Sequence, residues 1–408
     1  MTDKVPAIAG GSPAKTVPYT RSTRFGDEEL QQLKEALEQQ TLFYSTGKKV
    51  FAFEAMMAEM HNVPYAISCT SGTAGIHAAT MALGISPGDE VIVTPITDMG
   101  SLIPILFQGG VPVFADLDPH AYCVTPESVE AVMTDKTRAV IAVHLWGNAC
   151  DMYRLKKLCK AKGVSLIEDC AQAWGCTYDG KPIGTIGDIG CFSVNDFKHI
   201  SCGDGGMVIT SDKTLANRIR MSTDKSYSRE PGASRNPFFL AANYRMTELQ
   251  GAVGVAQLPK LESIVSRRRS WCEALTKEIK DIKGINVPIP TDKCNPSWWF
   301  YMMRIDPAIL GADADQFAEA LGKEGICAGA HYLNDPVYNY PIFTEHTAFD
   351  HADHPFTARK YHMGLCPVAE EILDTCVLIS INEGYTKQDL DETVDGINKC
   401  VRYFNDRM

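Results

Sequence analysis

The 408-residue sequence lacks any run of about 18 uninterrupted apolar residues, the length a membrane-spanning helix needs. Its first residues, Met1 to Tyr19, hold no apolar stretch that could serve as the core of a secretory signal. Positive charge is scarce too: 39 Lys and Arg stand against 50 Asp and Glu, for a net charge of −11 and no long basic run. That balance speaks against nucleic acid or an anionic membrane as partner. The 14 cysteines, scattered from Cys69 to Cys400, contain no Cys-x-x-Cys pair. In a chain of this length they read as reduced, mostly buried thiols and not as a disulfide framework, so a cytoplasmic location is expected. Internal repeats and low-complexity tracts are absent as well.

What is present is an ordinary globular composition, 45% hydrophobic and 22% charged, in a chain too long for one ordinary domain. A helix is expected from about Asp27 to Gln39, with Leu30, Leu33 and Leu37 on one face. Short apolar runs then alternate with helical stretches: Tyr65–Ser68, Glu90–Thr94, Pro112–Leu117, Ala139–Leu145, Ser165–Glu168, Gly190–Val194 and Met207–Ile209. Several are apolar at consecutive positions, the mark of strands covered on both faces and therefore of a mostly parallel sheet. One long helical region is predicted from about Met246 to Asp281, and Val287-Pro288-Ile289-Pro290 reads as a linker. Beyond it come a strand at Trp298–Ile305, further helices, and a last helix near Asp389–Phe404. The expected architecture is α/β: an N-terminal arm and large domain over residues 1–285, then a smaller α+β domain over 286–408.

Three segments carry chemistry. In Cys69-Thr70-Ser71-Gly72-Thr73-Ala74, a strand turns into a helix predicted at Gly75–Leu83. Small and hydroxylated residues at a helix N-terminus let a phosphate approach unpaired N–H groups, although an ordinary N-cap has the same composition. In Leu166-Ile167-Glu168-Asp169-Cys170-Ala171-Gln172, two acids end an apolar strand, where open α/β sheets place their ligands. A carboxylate there suits a metal, a ribose hydroxyl, a protonated pyridine nitrogen, or simply water. No metal is expected, because no His/Asp/Glu cluster of ligand spacing lies nearby. In Ser193-Val194-Asn195-Asp196-Phe197-Lys198-His199, a lysine follows a buried strand and precedes the Gly-rich Gly203-Asp204-Gly205-Gly206. A partly desolvated amine has a lowered pKa and can form a Schiff base, whereas a lone surface lysine does neither.

The order of those segments, followed by Asn243-Tyr244-Arg245-Met246, resembles the DegT/DnrJ/EryC/StrS family of sugar aminotransferases. The similarity runs over nearly the whole chain, from Gly47 and Phe53-Glu54 to Pro367 and Glu370. It implies a fold-type-I enzyme that uses pyridoxal 5'-phosphate, passing through the pyridoxamine form during turnover. By the same resemblance Lys198 forms the Schiff base and Asp169 pairs with the pyridine nitrogen. Gln172 reaches the ring hydroxyl, while Ser71, Gly72, Thr73 and Ser193 hold the phosphate. Asn243 is the residue offered to a neighbouring subunit, which implies a homodimer with shared active sites.

Two places depart from the family pattern. Where relatives stack an aromatic ring on the pyridine face, this sequence has Asp98, or Met99 if the loop shifts by one. Where relatives carry a histidine, it has Ser297-Trp298-Trp299-Phe300, and Trp298 either packs the small domain or stacks on a sugar. Tyr44, His331 and Tyr332 are further substrate candidates. The leading expectation is transfer of an amino group from glutamate or glutamine to a keto sugar or keto cyclitol. Ala9-Gly10-Gly11-Ser12-Pro13 resembles members that act on carbocycles. The alternatives are a sugar dehydratase using the same cofactor, disfavoured because Lys198 is kept, and a non-catalytic regulator that retains the fold.

Overall fold

A computed structural model of the chain describes residues 5–229, 232–233 and 236–407. Five strands appear first: β1 (Tyr65–Cys69), β2 (Glu90–Val93), β3 (Val111–Phe114), β4 (Thr137–Val143) and β5 (Ser165–Asp169). After the short ribbon β6 (Thr177–Tyr178) and β7 (Lys181–Pro182) come β8 (Ile189–Ser193) and β9 (Gly206–Thr210). Seven of these form the main sheet in the order β1-β9-β8-β5-β4-β2-β3. The pairs β2–β3, β2–β4, β4–β5 and β5–β8 are parallel, and β9 alone runs against its neighbours. Nearly every residue of these strands is buried, because helices cover both faces of the sheet.

The remaining strands are β10 (Ile285–Asn286), β11 (Cys294–Asn295), β12 (Tyr301–Ile305), β13 (Ala328–Ala330) and β14 (Cys376–Ile379). An antiparallel sheet of order β10-β12-β14-β13 forms the C-terminal part, and β11 pairs with the β6–β7 ribbon. The N-terminal arm packs on this C-terminal part. Lys15 Nζ sits buried between Asp389 (2.5 Å) and Glu392 (2.8 Å). Glu324 accepts the amides of Ala7 and Ala14 and pairs with Lys399 at 2.8 Å. Among the described residues no helix is long and apolar enough to cross a membrane.

Three boundaries differ from expectation, each for a local reason. The helix after β1 starts at Gly72, not Gly75, because the Ser71 hydroxyl accepts the Ala74 N–H and caps it there. The long helix over Met246–Asp281 is two helices, Glu248–Gln257 and Leu261–Ile279, joined by a 3-10 turn at Leu258–Lys260. Pro259 lies inside that turn and has no N–H to continue the ladder. The strand expected at Trp298–Ile305 begins only at Tyr301, since Trp298 takes a φ of 53°, a left-handed value no strand accommodates.

Candidate active site

The site lies where the carboxyl ends of β1, β2, β5 and β8 converge, as the parallel arrangement dictates. The turn after β1 delivers Ser71, Gly72 and Thr73, the loop after β2 delivers Thr97 to Ser101, β5 ends on Asp169, and β8 ends on Ser193. Together with Gln172, Lys198, Trp299 and Tyr332 they line a cavity of about 350 Å³. Gly72 is required by close approach: a Cβ there would fall 2.7 Å from Ser193 Cβ. That contact brings the helix N-terminus, with its unpaired N–H groups, against the end of β8.

Asp169 is 4% exposed, and burial raises its carboxyl above the usual range. Two donors oppose that rise: Ser101 Oγ at 2.7 Å to Oδ2, and the Ala171 amide at 3.0 Å to Oδ1. Because Ser101 donates its only proton to Asp169, the Thr97 hydroxyl 2.8 Å away must be the donor to Ser101. An ionised carboxylate has about four lone-pair positions, so Asp169 can accept a further N–H from the cavity.

Lys198 supplies the complementary group. Burial lowers its amine to about 8, against the opposing pull of Asp169 and Asp98. Its Nζ stands 3.8 Å from the centroid of the Trp299 ring. Gln172 is fixed from both sides: Oε1 accepts the Trp146 amide at 3.0 Å, and Nε2 donates to Tyr332 Oη at 3.0 Å.

Beneath Asp169, Glu168 is fully buried. Its Oε1 accepts the amides of Ile186 and Gly187, and its Oε2 accepts the Gly184 amide and His144 Nε2 (3.1 Å). Cys170 completes a trio of possible metal donors with His144 and Glu168, all within 4.8 Å. Every lone-pair position of Glu168 is already taken, and His144 Nδ1 accepts the Cys150 amide at 3.2 Å. The trio braces the end of β5 and offers a cation no vacant ligand on either residue.

Lys198, Asp169, Gln172, Ser71, Gly72, Thr73, Ser193, Asp98 and Tyr332 are thus brought together. Of the two side chains available for the ring face, Asp98 lines the cavity, while Met99 packs against the core. Asp98 also caps its own turn, accepting the Gly100 amide at 2.7 Å.

Four candidates fall elsewhere. Trp298 is only 2% exposed, because its left-handed backbone turns it onto Trp146 (4.7 Å) and Tyr301 (5.4 Å), and its neighbour Trp299 is the one that reaches the cavity. His331 is held by the Leu373 carbonyl and Asp315 instead. Tyr44 donates to Asp224 at 3.0 Å in a separate groove of about 640 Å³ lined also by Arg220 and Arg229. Asn243 is exposed and its backbone pairs antiparallel with that of Asp224, outside the cavity. Sequence reasoning missed Ser101 and Trp299. The loop after β2 holds Thr94, Thr97 and Ser101 with no sign of which hydroxyl will meet an acid, and the irregular Trp-Trp segment gives no periodicity from which to choose between neighbours.

A mostly parallel α/β sheet that brings a desolvated lysine, a buried acid and a capped helix N-terminus to one cavity suits an enzyme of Schiff-base chemistry. The sequence matches the DegT/DnrJ/EryC1/StrS aminotransferase family over residues 23–398, and the protein belongs to that family, whose members depend on pyridoxal phosphate. It is 36% identical over 278 residues to the GDP-perosamine synthase of Escherichia coli O157:H7, an alignment covering 67% of this chain and 74% of that one. The spore coat polysaccharide biosynthesis protein SpsC of Bacillus subtilis strain 168 is 30% identical over 395 residues, 95% of this chain and 97% of its own. Among solved structures, an aminotransferase from Psychrobacter cryohalolentis superposes with a TM-score of 0.85 at 28% identity, covering 95% of this chain and all of that chain (100%).

Proposed function

We propose that the protein transfers an amino group from glutamate or glutamine to a keto sugar or keto cyclitol, with pyridoxal 5'-phosphate held on Lys198. The observation that carries this reading is the pairing of a lysine amine lowered to about 8 with a buried acid, in one cavity that ends on a helix N-terminus. The sugar class is supported by the names of the two sequence relatives, a perosamine synthase and a polysaccharide biosynthesis protein.

The residues fit the cofactor. The cradle formed by Gly72 against Ser193 suits a phosphate, with Ser71 and Thr73 adding hydroxyls. The remaining acceptor capacity of Asp169 suits a protonated ring nitrogen, and the Gln172 amide, which lines the same cavity, would serve the ring hydroxyl. When bound, the group supplies an electron sink for the carbon that loses its proton. The protein supplies the rest. Asp169, whose burial-raised pKa is opposed by Ser101 and the Ala171 amide, would hold a proton on the ring nitrogen. Lys198 would hold the cofactor through Nζ and, as a free amine, would take up and return the substrate's proton, its lowered pKa leaving a useful neutral fraction near pH 7. Tyr332 and Trp299 wall the cavity beside the amine. Asp98, where an aromatic ring would stack, offers a carboxylate oxygen to hydroxyl or amino groups of the substrate.

In this reading residues 1–285 hold the cofactor and residues 286–408 help close the cavity. The reading includes a homodimer in the cytoplasm, in which Asn243, outside this chain's cavity, serves the neighbouring subunit. The test is incubation of purified protein with pyridoxal phosphate, then with glutamate or glutamine and a panel of keto sugars and cyclitols. Yellow absorbance that disappears in Lys198→Ala, with 2-oxoglutarate or its amide released, is expected. Loss of water from the sugar without nitrogen transfer would instead establish the dehydratase alternative, and a protein that takes up no cofactor would establish a non-catalytic role.

A further inference from the structure

The loop that carries Lys198 is neither helix nor strand, yet four consecutive carbonyls in it are claimed by two side chains from distant parts of the chain. Arg24, in the N-terminal arm, donates Nη1 to the carbonyl of Asp196 and Nη2 to those of Lys198 and His199, the last at 3.2 Å. Trp299 donates Nε1 to the carbonyl of Phe197 at 2.8 Å. The outer turn of the loop is open to solvent, with Phe197 79% exposed, while His199 beside it is buried. Water could satisfy such carbonyls, so what these bonds add is fixed geometry.

Both donors are themselves anchored. Gln257 Nε2 and Lys260 Nζ donate to the Arg24 carbonyl at 2.8 and 3.4 Å, and Gln257 Oε1 accepts the Ser201 amide in the same loop. Arg268 Nη1 donates to the Trp299 carbonyl at 3.1 Å and pairs through Nη2 with Glu383 at 3.0 Å. Glu383 in turn accepts the hydroxyl of Ser22, two residues before Arg24. Arm, C-terminal part and lysine loop are therefore joined in one polar circuit, with the Trp299 ring closing it over Nζ.

We propose that Arg24 and Trp299 are positioning residues for the Lys198 amine, holding its backbone from the N-terminal arm and from the C-terminal part so that Nζ stays inside the cavity. This rests on Lys198 being the reacting amine. A guanidinium is suited to the task because its planar fork meets several carbonyls at fixed angles, which a lysine ammonium does not. The groups facing the amine are Asp169 at the end of β5 and Asp98 in the loop after β2, both favouring its charged form. Behind the loop stand the cations Arg24 and Arg268 and the buried, neutral His199. Removing Arg24 frees the loop and lets water reach the amine, and because burial is what lowers the amine's pKa, that change raises it.

The test is competitive labelling of the full-length protein with acetic anhydride across pH, after dialysis against hydroxylamine, read on the Lys198 peptide by mass spectrometry. Wild type should label with a midpoint near 8. Arg24→Met should move the midpoint up by about one pH unit or more, with Arg24→Lys intermediate and Trp299→Phe, which keeps the ring but loses the donor, shifted less. In the loaded enzyme, Arg24→Met should lower kcat about ten- to a hundredfold, as misplacement of a reacting atom by about 1 Å does, with little change in KM. If Arg24→Met does not fold, Arg24→Lys and Trp299→Phe carry the test. Folded variants with the wild-type labelling midpoint would overturn the proposal. The labelling needs no cofactor, so failure of the wild type to bind pyridoxal phosphate would count against the proposed function and leave this comparison to decide the positioning role.

Discussion

Replacing Ser101 by alanine isolates what the buried acid contributes. The hydroxyl donates to Asp169 Oδ2 at 2.7 Å, and the carboxylate is 4% exposed, so water is poorly placed to substitute. A hydrogen bond to a charged group contributes roughly 1.5–3 kcal/mol, and all of it is lost from the ionised form only. At about 1.4 kcal/mol per tenfold in rate, that corresponds to roughly a ten- to hundredfold fall in turnover if Asp169 must be ionised to act. The sign with pH is fixed. Burial already raises the Asp169 pKa, and losing the donor raises it further, so a higher pH is needed to ionise it. The acid limb of the kcat/KM profile should therefore move to higher pH in Ser101→Ala, the deficit should shrink as pH rises, and Ser101→Thr should restore most of the loss. The same linkage applies to stability: the native state of the variant is penalised above the Asp169 pKa, and the penalty fades in acid, where folded and unfolded chains are both protonated. Superimposable pH profiles and equal turnover for Ser101→Ala and wild type would refute the assignment of Asp169 as an ionised partner.

Two further outcomes follow from packing. Gly72→Ala places a methyl group 2.7 Å from Ser193 Cβ; it should destabilise the protein by about 1–3 kcal/mol and weaken pyridoxal phosphate binding, measured by thermal unfolding and equilibrium dialysis. Lys399→Met leaves the fully buried Glu324 without its cation, and a loss of about 3–5 kcal/mol is expected, seen as a lower thermal midpoint and faster proteolysis of the N-terminal arm.

The sequence was most informative where residue type and order act together. Lys198, Asp169, Gln172 and Ser193 lie at strand ends or just beyond, and the consecutive apolar runs before them announce a buried parallel sheet whose carboxyl ends converge. Irregular segments were less legible. The adjacent tryptophans at 298 and 299 are equivalent as letters, and only the left-handed backbone at Trp298 sends the first into the core and the second to the amine. The helical region over Met246–Asp281 has continuous helical patterning across Pro259, where the missing N–H favours a break. Arg24 left no trace, because a guanidinium that meets backbone carbonyls requires no particular residue types at the other end. Tyr44 meets the Asp224 carboxylate, and Asn243 pairs with Asp224 through its backbone, both away from the cavity, an arrangement no spacing rule anticipates.

The most direct test of the account is to mix the protein with pyridoxal phosphate, reduce with borohydride, and locate the added mass by peptide mapping. The account requires one equivalent of reduced cofactor on the peptide containing Lys198, with none on Lys198→Ala. Attachment to another lysine, or no covalent attachment at all, would contradict it.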